Sequence, residues 1–115
     1  MKTNRLTMEL AAYSSLIKRM GNDKRVIATH VSLFTALFIQ WQRSDFLSPF
    51  AVTRKDLMAY SKIASIATYH KCIRELDEFG YIRYQPSFNP QKGSLIYWPG
   101  NTAQQQNNQA TEQQM

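Results

Sequence analysis

The sequence predicts a mainly α fold that closes on a small β-hairpin. Three observations predict it. Apolar residues recur at helical spacing through four stretches between residues 6 and 79. Gly21, Pro49 and Gly80 interrupt that pattern at three junctions. Finally, "RYQPSFNPQKGSLIYW" (83–98) holds two short β-prone runs around a polar tip rich in turn residues.

The elements follow in order. In residues 6–20, Leu6, Leu10, Tyr13, Ile17 and Met20 make one helical stripe. Lys18 and Arg19 fall in the last turn and Gly21 stops the helix. A second helix is expected over 25–45. Its broad stripe of Val26, His30, Leu33, Phe34, Leu37, Phe38 and Trp41 suits a central core position. His30 on that stripe reads as a satisfied core histidine. Pro49 pushes Ser48 towards extended geometry, and "FAV" (50–52) reads as a very short strand. Thr53 followed by Asp56 resembles a capping box for a short helix over 54–61. "SKIAS" is then a turn, and Ser65 caps a helix ending at Gly80. Ile66, Tyr69, Cys72, Ile73, Leu76 and Phe79 form its expected buried stripe. "YIRYQ" and "SLIYW" are the hairpin strands, with Tyr84, Phe88, Tyr97 and Trp98 expected to pack them onto the helices, the alternative being to stack on bases. A short capped helix, a turn, a longer helix and a hairpin is the order of a winged helix-turn-helix, here with an extra N-terminal helix. The expected division is an N-terminal helix over 1–24, a winged-helix domain over 25–99, and a Gln/Asn-rich tail over 100–115. The tail has too little apolar surface to offset the entropy of ordering.

The chain has 115 residues, 43% of them hydrophobic, enough for one modest core. Its 14 Lys and Arg against 8 Asp and Glu give a net charge of +6, which suits an anionic partner. One cysteine, Cys72, excludes an internal disulfide and fits a reducing cytoplasm. The opening residues lack the apolar core of a leader. The most apolar run, "VSLFTALFIQW", is far short of the ~20 residues that a membrane span needs, so no membrane contact is expected.

The expected site is duplex DNA-binding. With Tyr69, Cys72, Ile73 and Leu76 inside, Thr68, His70, Lys71 and Arg74 must face outward on the second helix of the pair, where a major groove is read. Thr68 and His70 suit base edges, while Lys71 and Arg74 suit guanine or phosphate. Ser65 sits at the helix N-terminus, whose N–H groups favour a phosphate. Arg54, Lys55 and Lys62 flank the preceding helix as phosphate contacts that set register. In the hairpin tip, Lys92 is the expected phosphate or minor-groove contact, with Asn89 and Gln91 adding hydrogen bonds. Lys71 and Arg74 precede Glu75, Asp77 and Glu78, the reverse of what the helix dipole prefers. Arg83 points to DNA or to water. The N-terminal helix either pairs two copies into a homodimer or closes its own domain.

No catalytic site is expected. His30, His70 and Cys72 lack zinc spacing, and no phosphate-loop, dinucleotide or nucleophile-elbow motif is present. No cofactor and no metal are expected.

Two longer stretches carry a resemblance. "THVSLFTALFIQW" followed by "RKDLMAYSKIASIATYHKCIRELDEFGYIRYQPSFNPQKGS" resembles small winged-helix regulators encoded on conjugative transposons and other mobile elements of Bacteroidetes. The likeness covers about residues 25 to 98. Where such regulators carry Gly in the turn, this chain has Ala64. The resemblance implies a winged-helix transcriptional regulator of a mobile element, bound to double-stranded DNA. Two alternatives stay open: a replication or excision accessory factor, and a protein-docking module on the same fold.

Overall fold

Helix-compatible spacing and side-chain caps give four helices: α1 (Lys2–Gly21), α2 (Ala28–Arg43), α3 (Arg54–Ser61) and α4 (Ile66–Glu78). Three short strands complete the fold: β1 (Phe50–Val52), β2 (Arg83–Gln85) and β3 (Ser94–Tyr97). The structure is a computed structural model; it describes residues 2–87 and 93–98, with side chains from residue 7. The tail over 100–115 lies outside the described residues. Among the described residues, no helix is long and apolar enough to cross a membrane.

The expected mainly α fold with a β-hairpin is present, and the strand "FAV" joins it. β3 is the centre of a three-stranded antiparallel sheet ordered β1-β3-β2. Phe50 pairs with Ile96 on one side, and Tyr84 pairs with Ile96 on the other. A three-residue strand is marginal alone; the hairpin gives β1 a partner.

Both sequence-predicted caps form. The Thr53 hydroxyl accepts the Asp56 N–H at 3.2 Å, and the Ser65 hydroxyl accepts the Thr68 N–H at 3.2 Å. Each satisfies an N-terminal donor that the helix itself cannot. α3 ends at Lys62, which adopts a left-handed conformation with φ 64°. α4 stops at Phe79, and Gly80 takes φ +89°, the positive region that glycine adopts freely. α2 begins at Ala28 instead of 25. Its cap position is Ile27, whose N–H donates to His30 Nδ1 at 2.9 Å.

The core is aromatic. Trp98, just past β3, stacks on Trp41 of α2 at 4.7 Å and on Phe34 at 4.8 Å. Its backbone N–H donates to the Ser48 hydroxyl at 2.8 Å, which fixes the end of the hairpin to the segment before β1. Tyr13 of α1 lies 4.2 Å from Phe38 and 5.6 Å from Phe34, and Met20 is buried. This half of α1 therefore packs within its own chain.

Two expected stripes need correction. In α1 the inward face runs through Glu9, Tyr13, Leu16 and Met20, whereas Leu10 is 43% exposed. Both 9 and 10 lie at helical spacing from 13, and the fold buries Glu9. In α4, Tyr69, Cys72, Ile73 and Leu76 are buried as expected, but Ile66 is 51% exposed. It sits in the first turn, ahead of the contact with the rest of the fold.

Several polar contacts lock the helix ends. Arg19 donates to the Phe79 carbonyl at 3.0 Å and lies 4.5 Å over the Tyr81 ring, so the end of α1 satisfies a carbonyl at the end of α4. Asp23, between α1 and α2, accepts from Arg25 and from the Tyr81 hydroxyl at 2.8 Å.

Candidate nucleic-acid interface

Burial of four apolar positions on α4 dictates the orientation of the others. Lys71 and Arg74 are exposed, and His70 and Thr68 are half-buried at the same outer surface. His70 lies edge-on to the Tyr69 ring at 5.2 Å, which limits its reach. Arg54, Lys55, Lys62 and Ser65 are also exposed. The Ser65 hydroxyl already accepts the Thr68 N–H, so it is chiefly a cap. Asn89, Gln91 and Lys92 lie outside the described residues.

Two sets of cations bear on this surface, while Lys18 and Lys24, outside it, are exposed as well. Arg19, Arg25, Arg43 and Arg83 are engaged with aromatic rings of the fold: Tyr81, Phe79, Tyr60 and Tyr97 respectively. Arg83 thus lies over Tyr97 at 4.6 Å, a contact that neither sequence alternative named. Arg54 has only a long contact to the Met58 sulfur at 3.9 Å. For Lys55, Lys62, Lys71 and Arg74 no ion pair or hydrogen bond forms among the described residues. The second group therefore retains its full charge for an external anion.

The acids of α4 explain the reversed charge order. Glu75 meets His30 Nε2 at 2.8 Å, and Asp77 accepts the Tyr84 N–H at 3.2 Å. They serve the packing of α4 on α2 and β2. Their position leaves the first half of α4 basic and the second half acidic.

A cleft of about 420 Å³ opens between the start of α3, the outer side of α4 and the base of the hairpin. Arg54, Lys55, Tyr69, His70, Tyr84 and Ser87 are among its lining residues, and none of the lining residues is acidic. Two of the expected phosphate contacts and one expected base contact thus meet in one hollow. Tyr69 scans as core and Tyr84 as hairpin packing, and only the fold brings both to the wall of one cleft. Burial chiefly, with Tyr84 adding to it, pushes the Tyr69 phenol well above its ordinary value; Arg54 opposes this in part. The phenol is a hydrogen-bond donor at any ordinary pH.

One further cluster joins residues far apart in sequence. His30, Cys72 and Glu75 hold their polar atoms within 4.8 Å of one another. The donor set does not suit a metal. The Ile27 N–H occupies the lone pair of His30 Nδ1, so the ring proton resides on Nε2 and is donated to Glu75. Burial pushes the Cys72 thiol up, and Glu75 adds to this, so it remains a thiol. The cluster is a hydrogen-bonded tie between α2 and α4.

No family model, curated protein or solved structure matches this chain.

Proposed function

We propose that the protein is a sequence-specific double-stranded DNA-binding protein, with α3 and α4 as a helix-turn-helix and the β2–β3 hairpin as a wing. The observation that carries this reading is the concentration of exposed, unpaired cations on α3, α4 and the turn between them. Arg54, Lys55, Lys62, Lys71 and Arg74 flank or lie on the two helices of the pair and are left without ion pairs, while the other described arginines with ring contacts serve the fold. A duplex supplies phosphates to such a surface, and the outward positions of α4 supply base-reading groups in His70, Lys71 and Arg74. The likeness to mobile-element regulators, drawn from the sequence motifs, makes transcriptional control of such an element the favoured setting. A homodimer through α1 belongs to the same proposal, since Met8 (65%) and Leu10 (43%) remain exposed on that helix. Sedimentation velocity tests it, with a single monomer-sized species as the contrary result.

Fluorescence anisotropy with a random duplex at low salt tests the DNA reading. Micromolar binding that weakens steeply with added salt is expected. A folded protein that binds no duplex would favour the docking-module alternative.

A further inference from the structure

The cleft at the start of α3 has a property that DNA-binding by α4 does not require. Tyr69 is 2% exposed, yet its hydroxyl has no hydrogen-bond partner among the described residues. Tyr69 lines the cleft together with Arg54, Lys55 and Tyr84. α3 begins at the same wall. Thr53 takes the Asp56 N–H and the Leu57 N–H bonds to the Thr53 carbonyl. The N–H groups of Arg54 and Lys55, in the first turn, have no partner within the helix.

We propose that this cleft is a phosphate receptor, in which the Tyr69 hydroxyl, the Arg54 and Lys55 side chains and the first N–H groups of α3 hold the oxygens of a phosphoester. Residues of two elements, α3 and α4, line the cleft, and the lining offers no carboxylate to repel an anion. A guanidinium and helix-end N–H groups are the donors that phosphate oxygens select. At about 420 Å³ the cleft exceeds a single phosphate group, so the phosphate arrives attached to something larger. A phosphodiester of bound DNA and a free mononucleotide share this chemistry. The first source rests on the DNA-binding reading; the second does not.

Two variants and two probes decide the matter. Tyr69→Phe keeps the buried ring and removes only the hydroxyl. Arg54→Gln alters an exposed side chain. Heteronuclear NMR follows a titration with inorganic phosphate, and separately with adenosine monophosphate, at constant ionic strength. Saturable shifts at the Arg54 and Lys55 amides are expected, with affinity lowered about tenfold in Arg54→Gln and severalfold in Tyr69→Phe. Duplex affinity of the same proteins is then measured by anisotropy. A matching loss in both variants identifies the DNA backbone as the occupant. Unchanged duplex affinity, with nucleotide binding lost, identifies the free phosphoester and leaves the receptor standing. If the protein binds no duplex at all, the DNA reading falls and the NMR titration alone judges the receptor. The proposal is overturned if neither probe shifts these amides and Tyr69→Phe binds duplex as tightly as the parent.

Discussion

Asp23 ties the α1–α2 connection to the segment after α4 with one carboxylate. It accepts from the Arg25 backbone and guanidinium, and from the Tyr81 hydroxyl. These bonds, Arg25 foremost, hold it far below its ordinary value of 3.8. A depressed carboxylate stabilises the folded state above its ordinary value, and that contribution is lost as pH falls below it. Tyr81→Phe removes one of the bonds to the carboxylate. Asp23 should then titrate at higher pH by NMR, and acid unfolding should begin at higher pH by circular dichroism. An unchanged Asp23 titration would show that the Tyr81 bond does not form. His30 acts at the same scale. Its ring joins the start of α2 to Glu75 on α4, so its place on an apolar stripe reflects a tie between helices.

Single elements depend on a few backbone positions. Gly93, which leads into β3, has φ +70°, and a Cβ there would stand 2.5 Å from the Val52 carbonyl oxygen. Gly93→Ala must push β1 and β3 apart, at a cost of about 2 kcal/mol or more. A fall in melting temperature of roughly 10 °C is expected. Lys62 is the opposite case. It holds a left-handed conformation in the turn between α3 and α4, which costs a side-chain-bearing residue about 1 kcal/mol. Lys62→Gly should gain about 0.5 kcal/mol of stability, after the entropy that glycine loses. It should also weaken DNA binding through the lost charge, so melting temperature and affinity should move in opposite directions. The left-handed residue of this turn is Lys62, not Ala64, so the Ala found in place of Gly at 64 does not fill the left-handed position of the turn. The Thr53 and Ser65 caps, the bounds of α3 and the Tyr69, Cys72, Ile73 and Leu76 stripe of α4 were legible because they depend on residues three or four apart. The face of α1 was not, since Glu9 and Leu10 fit the same period and only tertiary packing separates them. The cleft and the His30–Cys72–Glu75 tie were illegible for a related reason: their members are brought together by tertiary packing, with no local signature.

At the scale of the molecule, an aromatic core supports a divided surface. Trp98 joins the end of the sheet to α1 and α2 through Tyr13, Phe34 and Trp41. Trp98→Ala should cost about 3–5 kcal/mol and leave little folded protein at moderate temperature, measured by urea denaturation. Outside that core, five cations along the α3–α4 pair lack ion pairs. If all five meet phosphates, the logarithm of the binding constant should fall against the logarithm of salt with a slope of about −4.5. The most direct test of the central claim is the double variant Lys71→Ala, Arg74→Ala, assayed for duplex affinity and melting temperature together. The account predicts a loss of affinity of at least tenfold with the melting temperature within about 2 °C of the parent, because both side chains are exposed. Unchanged affinity, or a fall in stability that matches the fall in binding, would contradict it.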